Sequence, residues 1–276
     1  LPATEPSLLS PAIHNGAKTF MKLGFVGTGA LSAAIVTGLK SLPGETTPVV
    51  ISPRNEAIAA DLAARYPDVR VAVDNQAVLD QSDTVMLAVR PQIAREVLGE
   101  LRFRKDHHVV SLIATIPREE IGSLAAPATH VTKALPMPMI ARLQGATLVC
   151  PPDPVVAAFF GRLGGVIEVE DQAEFDALTV VTATYASYFK YLDTIHAWVR
   201  GQGVADDKAR DYITSIYKAL ANAPDTAPGG DFMHLSRDYA TRGGINEQVL
   251  RELTERGTFD AFAESLGRVH RRIAGK

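Results

Sequence analysis

A single cysteine, Cys150, occurs among 276 residues, which rules out a disulfide framework within the chain and argues against a thiolate metal cage. The seven histidines never fall at the H-x-x-x-H spacing of one helix face, so no metal site is readable. Charge of one sign is also missing. The net charge of −3 gives no basis for a nucleic-acid partner. The one basic cluster, Arg268, Arg271, Arg272 and Lys276, reads as a solvated face of the last helix, where cations suit the helix dipole. No apolar run reaches the roughly 20 residues that span a bilayer, so no membrane segment is expected. Residues 1–20 lack the charged start and compact apolar core of a signal peptide, and Met21 directly precedes the first strand. They read as a tag or a disordered extension, and the cytoplasm is the expected compartment.

What is present is an alternation of short apolar runs and helical segments. Strands are expected at Leu23–Val26, Pro48–Ser52, Val69–Val73, Thr84–Val89, Val109–Ala114, His130–Lys133, Ala146–Val149 and Val166–Val169. Helices are expected at Ala30–Leu42, Glu56–Tyr66, Gln92–Leu101 and Pro154–Leu163, with a short one near Glu119. Thr84–Val89 is apolar after its first residue, as a strand buried on both faces should be. The alternation predicts an α/β fold with a Rossmann-type, doubly wound parallel sheet over residues 21–171.

Strand signals stop near Glu170, and residues 172–276 read as an all-helical domain. Leu178, Val181, Tyr185, Tyr188, Leu192, Ile195 and Val199 form one apolar stripe, predicting an unbroken helix of about seven turns. A second stripe runs Phe259, Phe262, Leu266, Val269, Ile273. These stripes exceed what a small core of its own needs. A homodimer or larger homo-oligomer through this domain is therefore expected, the alternative being that both stripes serve the domain's own core.

The sharpest motif is Gly27-Thr28-Gly29-Ala30-Leu31-Ser32, directly after a strand and opening a helix. Gly27 permits the tight turn, Gly29 lets the backbone approach a pyrophosphate, and the helix N-terminus receives the phosphates. A second strand follows about 20 residues on, as the dinucleotide fingerprint requires. Ser32 takes the third position, where glycine or alanine is usual. The second strand ends in Ile51-Ser52-Pro53-Arg54-Asn55, with no acid before Glu56 to accept from a ribose hydroxyl. Ser52, Arg54 and Asn55 instead suit a 2′-phosphate, with Arg54 supplying the charge. The expected cofactor is NADP, as NADPH, in preference to NAD. Ala88, Val89, Arg90 and Pro91 after the fourth strand and Ala114 after the fifth should line it.

These residues carry a family likeness. Leu23-Gly24-Phe25-Val26-Gly27-Thr28-Gly29, the turn Ala88-Val89-Arg90-Pro91-Gln92 and the closing stretch from Gly243-Gly244 through Leu253-Thr254-Glu255-Arg256-Gly257-Thr258-Phe259 to Arg268–Arg272 resemble pyrroline-5-carboxylate reductase. The resemblance runs from Met21 to Gly275. It implies a Rossmann domain with a helical dimerisation domain, and NAD(P)H-dependent reduction of a small cyclic imino acid to proline. The substrate half departs from the family. Where the family reads arginine-x-Met-Pro-Asn-Thr-Pro, this chain has Lys133-Ala134-Leu135-Pro136-Met137-Pro138, so Met137 replaces an amide. The family's Gly-Ser-Gly-Pro-Ala-Tyr segment falls on Ala186–Tyr191, keeping Ser187 and Tyr191. Its Ser-Pro-Gly-Gly-Thr-Thr loop falls on Thr241, Arg242, Gly243, Gly244, Ile245 and Asn246.

That last loop still suits an acid. Two glycines permit close approach, Asn246 is expected to cap a helix Glu247–Arg256, and the helix start receives a carboxylate. Two rival readings remain. One is a carbonyl or β-hydroxyacid dehydrogenase on the same architecture, with Lys190, in a Lys190-x-x-Asp193 spacing, as the acid. The other is a non-catalytic, cofactor-binding paralogue.

Overall fold

The computed structural model describes residues 22–224 and 231–275. Residues 1–20 and Lys276, read above as an extension and as part of a basic face, lie outside them. The chain divides into two compact units, one ending at Thr179 and one beginning at Val180.

The first unit is an eight-stranded sheet of order β3-β2-β1-β4-β5-β6-β7-β8. Its strands are β1 (Leu23–Val26), β2 (Val49–Ile51), β3 (Val69–Val71), β4 (Thr84–Leu87), β5 (His108–Ser111), β6 (His130–Leu135), β7 (Ala146–Cys150) and β8 (Gly165–Glu168). The connecting helices are α1 (Ala30–Lys40), α2 (Glu56–Arg65), α3 (Asn75–Asp80), α4 (Pro91–Gly99), α5 (Arg118–Leu124) and α6 (Pro154–Gly161). The doubly wound arrangement is visible in the packing. Leu23, Phe25, Val49, Ile51, Met86 and Val110 point to one face, where they meet Ile35 and Leu39 of α1, Leu62 of α2 and Phe160 of α6. Val50, Val85, Leu87, Val109 and Val131 point to the other, against Leu79 of α3, Leu98 of α4 and Ile121 of α5. Adjacent strand residues thus alternate between two dry layers, which is why the strands read as continuous apolar runs.

The sheet departs from the all-parallel expectation in one place. β6 and β7 pair antiparallel, Lys133 opposite Cys150 and Leu135 opposite Leu148. Only residues 136–145 join them, fewer than a parallel crossover needs. Pro136 precedes, and Pro138 opens, a 3₁₀ turn at Pro138–Arg142 that reverses the chain. This turn packs so tightly on α1 that a Cβ at Gly38 would lie 2.3 Å from the Ile140 carbonyl oxygen. The short α3 was also unforeseen; Asp74 caps it by accepting the Ala77 N–H at 2.7 Å.

Two helices, α7 (Gln172–Thr182) and α8 (Tyr185–Gly201), replace the single long helix expected from the stripe. At the junction the Ala183 and Thr184 N–H groups bond back three residues, to Val180 and Val181. The Thr184 hydroxyl donates to the same Val181 carbonyl at 2.7 Å. Local threonine bonding of this kind competes with the helical ladder, and a periodicity count cannot see it. The second unit continues with α9 (Asp206–Ala221), α10 (Phe232–Tyr239), α11 (Ile245–Glu255) and α12 (Thr258–Ile273). No residue of α8 or α12 is buried. Among the described residues, no helix is long and apolar enough to cross a membrane.

Candidate active site

The strand order reverses at β1, which runs parallel to β4: β2 and β3 lie on one side of β1 and β4 on the other. In open α/β sheets ligands bind in the crevice at such a switch, outside the carboxyl ends of the strands. Three of the segments singled out in the sequence meet here. Ala88 N–H donates to the Val26 carbonyl at 2.8 Å, Ser52 N–H to the Phe25 carbonyl at 3.0 Å and Leu112 N–H to the Leu87 carbonyl at 2.9 Å. The ends of β1, β2, β4 and β5 are therefore in register beneath the glycine loop.

Gly27 and Gly29 do different work. Gly27 has φ +101°, and a Cβ there would lie 2.6 Å from the Ala88 carbonyl oxygen and 3.0 Å from Val89 N. It is needed for backbone contact between the β1 and β4 turns. Gly29, the residue preceding α1, has ordinary extended backbone, and nothing lies within 4 Å of where its Cβ would be. Its open side leaves empty space beside the first N–H groups of α1, which have no partner within the helix. Ala30 is exposed and Leu31 half-buried at the same helix start. Ser32, the departure from the fingerprint, is buried and donates to the Gly27 carbonyl at 2.6 Å. Its hydroxyl braces the turn from within.

The structure assigns Ser52 a role different from the phosphate contact expected of it. Its side chain is fully buried. Ser52 Oγ accepts the Gly27 N–H at 3.0 Å. Thr28 Oγ1, also buried, donates to the Ser52 carbonyl at 2.6 Å and lies 3.1 Å from Ser52 Oγ. With the Thr28 proton spent on the carbonyl, the only proton of Ser52 goes to Thr28 Oγ1. No donor remains for a phosphate. Ser52 and Thr28 are a strut that fixes the glycine loop to β2. Arg54 and Asn55, by contrast, are exposed at the end of β2. Asn55 Oδ1 accepts the Ile58 N–H at 3.4 Å and so caps α2, leaving Arg54 as the cation available to a ligand. Past β4, Ala88 is half-buried, Val89 buried and Arg90 exposed, with Pro91 at the first turn of α4. Ala114 follows β5, half-buried.

One residue with chemical potential was not singled out from sequence. Lys133, near the carboxyl end of β6, is 1% exposed. Its Nζ donates to the Ala114 carbonyl at 3.0 Å and to Gln172 Oε1 at 3.3 Å, and lies 4.7 Å from the centre of the Phe175 ring. Gln172 Nε2 in turn donates to Asp176 Oδ1 at 2.6 Å. Burial pushes the Lys133 ammonium down to about 8, against the pull of Asp176, Cys150 and Glu119 in the opposite direction. The available signal was a lone lysine between Thr132 and Ala134 in a strand otherwise fit for burial. Met137, two residues past β6, is half-buried ahead of the 3₁₀ turn.

In the helical unit, Ser187 is exposed on α8. Lys190 is exposed too, its Nζ 2.6 Å from Asp193 Oδ2, and this hydrogen bond lowers the Asp193 carboxyl. On the same helix Tyr191 OH lies 2.9 Å from Tyr217 OH of α9. The loop at 241–246 is a tight turn. Gly244 N–H donates to the Thr241 carbonyl at 2.8 Å, Gly243 has φ +76°, and a Cβ at Gly244 would lie 2.8 Å from the Thr241 oxygen. Asn246 is not the cap expected. α11 starts at Ile245 with Gly244 before it, and Asn246 Nδ2 reaches back to the Tyr239 carbonyl at 3.1 Å. No side chain caps α11; Glu247 in its first turn instead reaches back and accepts the Gly243 N–H at 2.6 Å. A substrate carboxylate at this helix start would share it with Glu247. Thr241, Arg242 and Ile245 are exposed around it. Among the described residues, no group of three or more His, Cys, Asp or Glu could hold a metal ion.

The chain is similar to several known proteins. A family model described as "NADP oxidoreductase coenzyme F420-dependent" matches residues 22–115, the part that holds the glycine loop and the ends of β1, β2, β4 and β5. Pyrroline-5-carboxylate reductase of Methanosarcina acetivorans is 24% identical over 268 residues, 91% of this chain and 96% of that protein. The fold is that of the Streptococcus pyogenes 1-pyrroline-5-carboxylate reductase, with TM-score 0.81 and 21% identity over 93% of this chain and 99% of that one. The Plasmodium falciparum pyrroline carboxylate reductase, solved with NADP bound, gives TM-score 0.78 and 14% identity over 94% and 98%. This chain is thus similar in sequence, over about nine-tenths of its length, to proteins named pyrroline-5-carboxylate reductase, and alike in fold to solved structures of that name.

Proposed function

We propose that this protein is an NADPH-dependent reductase acting on a C=N bond, reducing pyrroline-5-carboxylate or a related cyclic imino acid to proline or its analogue. The observation that carries the reading is the glycine loop at the sheet's switch point. It is braced from inside by Ser52, Thr28 and Ser32 and open at Gly29. The whole-length relatives named for this activity supply the substrate class.

The residues present fit a dinucleotide. The N–H groups opening α1 would hold the pyrophosphate, and Arg54 would meet a 2′-phosphate with charge-assisted bonds. The bound cofactor supplies the hydride. What the chain does is bind, orient and exclude water. A protonated imine already accepts hydride, so positioning supplies much of the acceleration and no strong protein acid is required. The loop 241–246, with its two glycines and helix start, is the proposed seat of the substrate carboxylate; Met137 and Ser187 are proposed as further contacts.

The same reading includes a homodimer or larger homo-oligomer through the helical unit. Val181, Tyr188, Phe189, Trp198, Phe259 and Phe262 stay exposed there, which a monomer in water would rarely tolerate. It also includes a cytoplasmic location, where Cys150 stays reduced.

The test is NADPH consumption by the purified protein with pyrroline-5-carboxylate, beside a few 2-oxo acids and the 3-oxo precursors of β-hydroxyacids. Turnover of the imino acid supports the proposal. Turnover of carbonyls alone, abolished by Lys190→Met, would replace it with the hydroxyacid dehydrogenase reading. Tight NADPH binding without turnover of either class would leave a cofactor-binding paralogue.

A further inference from the structure

Lys133 is an expensive residue to keep in this fold. An ammonium removed from water needs compensation, yet its two hydrogen-bond partners are a backbone carbonyl and a neutral amide. The nearest carboxylate in the network, Asp176, is reached only through Gln172. Other elements around it contribute Cys150, directly opposite on β7, and Glu119 on α5. A hydrophobic residue would pack here at lower cost unless the donor serves a purpose.

The atom that Lys133 holds suggests the purpose. Ala114 lies in the turn 112–117 between β5 and α5, at the cofactor-facing end of the sheet. On either side of it Ile113 and Ile116 are buried, and the Ile116 N–H bonds only weakly to Ile113, at 3.4 Å. The turn has little backbone bonding of its own. We propose that Lys133 is a positioning residue, whose buried ammonium pins the Ala114 carbonyl and so sets the β5–α5 turn against the cofactor, with Gln172 and Asp176 holding the ammonium from behind. The inference rests on the proposed function for what crosses that turn, but the pinning itself is a property of the free protein.

A charge-assisted bond is roughly twice as strong as a neutral one. Loss of the Lys133 proton therefore slackens the pin, and does so near pH 8, well below the ordinary lysine range. Lys133→Arg keeps a donor that never deprotonates; Lys133→Met keeps the length and removes the donor.

The experiment measures amide hydrogen exchange of residues 112–116 in the free protein and NADPH affinity by fluorescence titration, both across about pH 6.5 to 9.5, for wild type, Lys133→Arg and Lys133→Met. Expected are faster exchange in the turn and an affinity loss of about tenfold in Lys133→Met. Lys133→Arg should recover most of both, and the wild-type inflection near pH 8 should be missing from the two variants. Wild-type exchange and affinity in a folded Lys133→Met, or the same inflection in Lys133→Arg, would overturn the proposal. If Lys133→Met does not fold, Gln172→Leu takes its place, with faster turn exchange expected and unchanged exchange overturning the proposal. If the wild-type protein binds no NADPH, the proposed function fails, while the exchange data on the free protein still decide the role of Lys133.

Discussion

Alanine at Gly27 and at Gly29 should fail in opposite ways, although the two lie two residues apart in one loop. At Gly27 the new methyl group would sit 2.6 Å from the Ala88 oxygen and 2.7 Å from its carbon. Both are backbone atoms bound into the sheet, so no rotamer change relieves the clash. The backbone at φ +101° adds its own cost for an L-residue, about 1–2 kcal/mol, and forced overpacking adds about 1–3 kcal/mol. The sum, about 2–5 kcal/mol, is a large share of ordinary stability and lowers the melting temperature of the free protein by about 5–15 °C. At Gly29 the backbone is acceptable to alanine and the surrounding space is empty. Gly29→Ala should change stability by less than about 1 kcal/mol. Yet its methyl occupies the side from which a pyrophosphate approaches, and NADPH affinity should fall about tenfold or more. Thermal melts of the free proteins and NADPH fluorescence titrations separate the two effects. A Gly29→Ala protein with wild-type NADPH affinity would refute the cofactor path over this loop. A Gly27→Ala protein as stable as wild type would refute the clash argument.

Ser52→Ala removes the acceptor for the half-buried Gly27 N–H. It should cost about 1–3 kcal/mol in denaturant unfolding and weaken NADPH binding without changing preference between NADPH and NADH. Arg54→Ala, at an exposed site, should leave the melt unchanged and raise the KM for NADPH about tenfold while barely moving that for NADH; equal effects on both would remove Arg54 from phosphate recognition. Burial alone would raise the Asp153 carboxyl, but the His108 hydrogen bond, the Val156 N–H and the Thr132 hydroxyl outweigh it and hold the group down to about 2. A carboxylate depressed in the folded state contributes stability above its unfolded value, about 3.9, and loses it as pH falls toward about 2. Unfolding free energy should therefore drop by roughly 1 kcal/mol from this group between about pH 6 and pH 3. Asp153→Asn should flatten that part of the pH dependence.

Much of the first unit was legible because its signals are local. Buried strands with helices between them are written as apolar runs and helical spacing, and the glycine loop announces itself between Val26 and Ala30. Tertiary context decided the rest. The threonine hydroxyl bond that ends α7 is invisible to a count of apolar spacing, which read across 183–184 without a break. Asn246 has the residue type of a helix cap, but the turn made by Gly243 and Gly244 moved the cap position two residues earlier, to Gly244, and Glu247 accepts the Gly243 N–H beside it. Ser52 was readable as a polar residue at a strand end. Only the fold could show that its single proton is already taken by Thr28. Residue type and spacing by themselves determined an α/β sheet with a glycine loop between its first strand and first helix, and a helical second half. Which polar groups are spent inside the protein and which remain for a ligand was decided by tertiary structure, because a hydrogen bond is satisfied by whatever the fold brings within about 3 Å, regardless of its place in the chain.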